Sequence, residues 1–186
     1  TDLNQKYRPK TLTKLIGNNQ TKKIIEAWEG QIPKAIILSG PSGAGKTTLA
    51  RITVDMLNST PFEVNAANDR GIETAREIED MTKNPPFLEG TKKVWIIDEG
   101  HQLSNAFQNS ILKPLEDSPD YCHFIICTTN PEKIIATIKT RCSHLKLEAL
   151  DDSELMLVLE RIVKKEKANV KKNVLDIIIS KSEGSA

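Results

Sequence analysis

Eight consecutive residues, Gly40-Pro41-Ser42-Gly43-Ala44-Gly45-Lys46-Thr47, carry the clearest chemistry in this chain. They fill every fixed position of the phosphate-binding pattern G-x-x-x-x-G-K-[ST]. Glycines at that spacing let backbone N–H groups turn inward around a phosphate, and a helix N-terminus behind them adds partial positive charge. Lys46 reaches the β- and γ-phosphates of a nucleoside triphosphate, and the Thr47 hydroxyl is placed to ligate Mg²⁺. Thr48 follows and is counted with the nucleotide-binding residues. The loop needs a strand before it and a helix after it, and it has both: Ala35-Ile36-Ile37-Leu38 is apolar, and Thr48-Leu49-Ala50-Arg51-Ile52 suits a helix. The expected ligands are ATP and Mg²⁺.

A second constellation is Val94-Trp95-Ile96-Ile97-Asp98-Glu99-Gly100-His101, an apolar run that delivers two acids at its end. The two carboxylates suit different tasks. Asp98 neutralises Mg²⁺ through the ion's hydration shell, while Glu99 stays free to accept a hydrogen bond from the attacking water. An Asp-Glu pair after a strand is common by itself; a phosphate loop upstream gives this one its meaning. His101 reads as a structural or coupling residue, since Glu99 already serves as the base.

These side chains need a scaffold. Apolar runs at 35–38, 62–64, 94–97, 124–127 and 145–147 read as five short strands. Helical patterns fall at 21–29, 46–57, 72–83 and 105–115. Continuous apolar strands interleaved with helices predict an α/β fold, a parallel sheet covered on both faces. Ligands on such sheets bind at the carboxyl ends of the strands, where the phosphate loop falls. After residue 150 the strand signal stops, and 153–167 and 173–181 read as two amphipathic helices. The expected division is a nucleotide-binding domain at 1–150 and a helical domain at 151–186.

Composition bounds the rest. The chain has 186 residues, 26 Lys and Arg against 25 Asp and Glu, and a net charge of +1, so any affinity for polyanions must come from local patches. Cys122, Cys127 and Cys142 form no C-x-x-C pair and read as reduced thiols of a cytoplasmic protein. No apolar run approaches membrane-spanning length.

Several blocks together resemble the AAA+ sliding-clamp loader subunits of DNA replication, over nearly the whole chain. Gln5-Lys6-Tyr7-Arg8-Pro9 is similar to their "KYRP" opening, and Leu15-Ile16-Gly17-Asn18-Asn19-Gln20 to their adenine-side box. The stretch from Phe62 to Ile72 resembles the "LNASDDRGI" segment of eukaryotic, archaeal and phage small subunits. His101-Gln102-Leu103-Ser104, with Asn109 to Glu116, is similar to the bacterial "HMLS…NALLKTLEEP" block. Cys127-Thr128-Thr129-Asn130-Pro131 and Thr140-Arg141-Cys142 resemble "ATTDP…SRC". The bacterial four-cysteine zinc module after the phosphate loop is absent, and threonine replaces the serine of "SRC". Both differences favour a small subunit of the phage, archaeal or eukaryotic kind.

The resemblance implies a RecA-like AAA+ domain with a partial helical lid, and it implies roles. Thr129 falls at the sensor-1 position. Arg141 falls at the arginine-finger position, acting in trans on a neighbour's ATP; without the resemblance it reads as a surface ion pair. Tyr7, Arg8, Pro9, Ile16 and Gly17 line the adenine and ribose side, or Tyr7 to Pro9 serve as a packing strap. Arg70 and Arg76 are candidate phosphate contacts for primer–template DNA, or an ordinary wet helix face. The lysines of 164–172 read as the solvated side of a lid helix. The turn at 84–90 carries Phe87 and Leu88, which suit docking to a clamp unless Phe87 folds back as core. The expected partners are a sliding clamp, further loader subunits in a ring, and primed DNA. The expected location is the cytoplasm (of a phage-infected cell or an archaeon) or, for a eukaryotic subunit, the nucleus. In the family a sensor-2 arginine follows the glycine corresponding to Gly184, and its absence here, with only two lid helices, is expected to mark a truncation. The implied activity is ATP-driven clamp loading; a loader-like subunit without turnover, or another AAA+ DNA remodeller such as a branch-migration motor or helicase loader, is the alternative.

Overall fold

A computed structural model describes residues 3–68, 71–88, 90–182 and 184–185. Helix α1 (Leu3–Lys6) opens the described chain and α2 (Asn19–Ala27) follows. Then come β1 (Ala35–Ser39), α3 (Lys46–Met56), β2 (Thr60–Asn65), α4 (Ile72–Thr82) and β3 (Lys93–Asp98). They are followed by α5 (Asn105–Ser110), α6 (Leu112–Asp117), β4 (Cys122–Thr128), α7 (Ala136–Lys139) and β5 (Ser143–Lys146). Helices α8 (Asp152–Glu166) and α9 (Lys172–Ser182) close the chain.

The strands form one five-stranded sheet in the order β2-β3-β4-β1-β5, every pairing parallel. Alternation along each strand divides the core into two layers. Ile36, Leu38, Val94, Ile96, Ile125 and Cys127 join one buried cluster with Leu49, Ile52 and Val54 of α3. Ile37, Trp95, Ile97, Phe124 and Ile126 point the other way, against Ala75 and Ile78 of α4, Phe107 of α5, Leu115 of α6 and Ile138 of α7. Phe62, Trp95 and Phe124 occupy one register level on three adjacent strands. Their rings stack, with centroids 5.4 Å apart for the first pair and 5.0 Å for the second.

Two differences from the sequence expectation have local causes. The single helix expected at 105–115 is two, α5 and α6, meeting at Ile111. Pro114 lacks the N–H that would bond the Ser110 carbonyl, and its ring crowds that turn. The last strand lies at 143–146 rather than 145–147, and the Leu147 N–H donates to Ser39 O at 2.7 Å as the chain leaves the sheet.

The two terminal helices pack on each other through a small cluster of Leu150, Leu155 and Ile179. Asp151 caps α8, accepting from the Glu154 N–H at 2.8 Å, while the Glu154 carboxylate accepts from the Asp151 N–H at 3.1 Å. Asn18 ties this region to the N-terminal segment: its amide donates to Glu148 O, and its Oδ1 accepts from the Glu148 N–H at 2.8 Å. Among the described residues no helix is long and apolar enough to cross a membrane.

Candidate nucleotide-binding site

The phosphate loop leaves the carboxyl end of β1, between β4 and the edge strand β5. Its first glycine is required by close approach. At Gly40, φ is 154°, its N–H donates to Thr128 O at 3.2 Å, and a Cβ there would collide with the Leu147 carbonyl. Gly45, at φ 88°, caps the start of α3 and turns the chain into the helix.

Lys46 is buried at the base of the loop and donates to Gly40 O at 2.9 Å and Pro41 O at 2.7 Å. These carbonyls hold the ammonium inside the curve of the loop. Desolvation pulls its pKa below the ordinary lysine range, and the negative charges of Glu99 and Asp98 oppose that shift. The Thr47 hydroxyl donates to Asp98 Oδ2 at 2.8 Å, joining the loop to the end of β3 across the intervening strand. Asp98 Oδ1 accepts the Glu99 N–H at 3.0 Å. Mg²⁺ keeps most of its waters and takes one or two protein oxygens plus phosphate, so a hydroxyl and a carboxylate already at contact suit it.

Glu99 adopts a left-handed backbone, φ 53°, which is uncommon for a residue with a side chain. That kink ends the strand and turns the carboxylate toward His101, whose Nδ1 lies 3.5 Å from Glu99 Oε2. The same ring nitrogen is 3.4 Å from the hydroxyls of Thr128 and Thr129. Glu99 and Thr129, paired by resemblance alone in the sequence, therefore meet at one histidine.

Beside the loop lies a cavity of about 230 Å³. Tyr7, Arg8, Pro9 and Ile16 line it together with Gly43, Ala44, Gly45 and Thr48 of the loop region. Gly17 stands behind this wall, at φ 72° and pressed against Leu150 and the Glu154 carboxylate. Arg8 also lines a second, polar groove with Thr47, Asp98 and the Arg51–Glu63 ion pair. Sequence reasoning missed the far wall, Val158, Arg161 and Ile162 of α8. Their spacing, one helical turn, was the available signal. Arg161 also donates to Lys14 O at 2.8 Å, and the Tyr7 hydroxyl donates to Glu166 Oε1 at 2.5 Å, so α8 and the N-terminal segment close the cavity between them.

The remaining candidates lie elsewhere. Arg141 lines neither cavity and pairs with Glu116 of α6. Arg76 is exposed on α4, and Arg70 lies outside the described residues. Phe87 does not fold back as core; it is fully exposed, with Leu88 beside it at 66%. Gln108, also missed, is buried and donates to Leu103 O and Lys133 O while accepting the Ile135 N–H at 2.9 Å.

Residues 62–151 match the family model described as "DNA polymerase III, delta subunit". The chain is 35% identical to DNA polymerase III subunit gamma of Buchnera aphidicola, over 98% of this chain and 57% of that protein. It is 32% identical to the replication factor C small subunit of Methanococcus maripaludis, over 97% of this chain and 59% of the relative. Over almost its whole length the chain is therefore similar to clamp-loader AAA+ subunits. It thus spans a little under three fifths of these curated clamp-loader relatives. Among solved structures, the RuvB Holliday junction branch migration motor of Thermotoga maritima superposes with a TM-score of 0.79 at 25% identity, covering 96% of this chain and 61% of that one. The chain shares the RecA-like AAA+ fold with that motor.

Proposed function

We propose that this chain is the nucleotide-binding part of a clamp-loader subunit, which couples ATP binding and hydrolysis to the loading of a sliding clamp onto primed DNA. The observation that carries the ATPase reading is the Thr47–Asp98 contact of 2.8 Å, beside a buried Lys46 and a Glu99 whose carboxylate lies 3.5 Å from His101 Nδ1. The clamp-loading reading rests on the relatives.

Tyr7, Arg8, Pro9 and Ile16 enclose the base against α8, with Gly17 setting the approach of the lid. Backbone N–H groups of the loop after Pro41 wrap the phosphates, and Lys46 moves from the loop carbonyls to the γ-phosphate oxygens. Thr47 would hold Mg²⁺ directly and Asp98 through the ion's hydration shell, and the ion would supply positive charge to the triphosphate. Glu99 accepts a hydrogen bond from the attacking water, and Thr129 holds that water in line. Arg141 serves the site of a neighbouring subunit, where its permanent charge and planar fork stabilise the transition state. Its pairing away from the two cavities beside the phosphate loop supports that role.

Residues 151–186 act as the lid, separate from the domain at 1–150. Phe87 and Leu88, exposed beyond α4, are the candidate clamp contact. Arg76 of α4, with Arg70 shortly before it in the sequence, is the candidate contact to DNA phosphates. The protein works in the cytoplasm, or in the nucleus of a eukaryotic cell. The likeness to a branch-migration motor favours a second reading, another AAA+ DNA remodeller. The higher identity to loader subunits, together with Tyr7-Arg8-Pro9 and Thr140-Arg141-Cys142, supports the first.

The test is an ATPase assay of the full-length protein with and without a sliding clamp and primer–template DNA. Stimulation by both together is expected. Stimulation by a four-way junction, with no response to clamp, would favour the remodeller.

A further inference from the structure

Arg141 sits in an unusually complete cradle for an exposed arginine. Its Nε donates to Glu116 Oε1 at 2.5 Å, Nη2 contacts the same oxygen, and Nη1 donates to Thr137 O at 2.6 Å. A guanidinium has five N–H donors. These partners take three, leaving one N–H on each terminal nitrogen uncommitted among the described residues. The committed N–H groups hold the plane of the guanidinium; the other two are the pair a phosphate oxygen needs for a forked contact. The two anchors come from different elements, Glu116 from α6 and Thr137 from α7, so the side chain is fixed in direction as well as position.

We infer that Glu116 is a positioning residue for Arg141, holding the guanidinium preformed for the nucleotide of a neighbouring subunit. The inference rests on the trans role proposed above for Arg141. An arginine side chain has four rotatable bonds, and ordering it at the moment of reaction would cost part of the benefit of its charge. A partner that orders it beforehand removes that cost. Folding stability does not explain the pair: Glu116 and Arg141 side chains are 44% and 31% exposed, and exposed ion pairs add little to stability.

The test uses the full-length protein in its assembled form, with turnover measured under clamp and primed-DNA stimulation. Arg141→Ala sets the scale, a loss on the order of 10³–10⁵ in kcat. Glu116→Ala should lower kcat by about 10- to 100-fold, the scale for a misplaced catalytic group. KM for ATP should be unchanged, because the subunit's own pocket is untouched. The melting temperature and the assembled mass should match the wild type. Glu116→Gln keeps an acceptor oxygen and should recover part of the loss. In the Arg141→Ala background, Glu116→Ala should change nothing further. Unaltered kcat in Glu116→Ala, or an additive loss in the double variant, overturns the inference while leaving the trans role standing. Unaltered kcat in Arg141→Ala removes the trans role, and the positioning role with it.

Discussion

Lys46 and Glu99 show how one site asks opposite things of its charges. Lys46 is buried as an ammonium with only carbonyls to receive it, so a bound triphosphate is its natural counter-charge. Lys46→Ala should weaken ATP binding by about 10- to 100-fold, the worth of one charged hydrogen bond, measured by calorimetry. Burial lowers the pKa of Lys46 from its ordinary 10.5, while a bound polyanion raises it again. ATP affinity should therefore fall as pH rises toward 10.5, with protons taken up on binding in that window. Calorimetry in alkaline buffers of different ionisation enthalpy would detect the uptake, and its absence would remove Lys46 from the phosphates. Glu99 must instead stay exposed enough to meet water. Glu99→Gln should bind ATP normally yet turn over about 10²–10⁴ more slowly, leaving ATP trapped on the assembled protein. The phosphate loop and both acids could be proposed from the sequence because each lies within a short contiguous motif, and Thr129 through the block that resembles the family. Glu116 could not, because its partner stands 25 positions away and only the packing of α6 on α7 brings the two together.

At the scale of elements, the sheet was readable because β1, β3 and β4 are buried on both faces and so show unbroken apolar runs. β5 was misplaced by two residues at its start because it is an edge strand with a single buried residue, Leu145, and its boundary is set by pairing with β1 rather than by its own pattern. The cavity wall from α8 was invisible for a related reason: amphipathicity says that a helix has a buried face, not which cavity that face covers. Gln108 fastens α5 to the segment after β4 through three backbone partners. Gln108→Ala strands the Ile135 N–H and two carbonyls, and should cost about 1–3 kcal/mol in chemical denaturation. Gly17→Ala meets two obstacles together, a left-handed backbone and the side chains of Leu150 and Glu154. A stability loss of about 1–3 kcal/mol is expected, with unchanged stability arguing against this packing of lid on domain.

For the whole molecule, the trans role proposed for Arg141, which lines neither cavity beside the phosphate loop, would make turnover depend on assembly. The 186-residue chain should bind ATP, yet hydrolyse it on the order of 10³–10⁵ more slowly than the assembled full-length protein. A concentration series in an ATPase assay checks this; brisk turnover by a species that light scattering shows to be monomeric would require the missing charge to come from within the chain.

The stack of Phe62, Trp95 and Phe124 gives such experiments a built-in optical reporter. The chain has two tryptophans. Trp95 is 1% exposed between two rings at the middle of the sheet, whereas Trp28 is half-buried at the end of α2. Their emission should therefore separate, Trp95 to the blue and shielded from acrylamide, Trp28 to the red and quenched. Loss of the blue component reports the opening of three strands at once, and the near-ultraviolet dichroism of the stacked rings should vanish with it. A change confined to the red component would mark rearrangement near the N-terminal segment with the sheet intact, so a Trp28→Phe variant would leave an unlabelled protein whose fluorescence reads the central sheet alone.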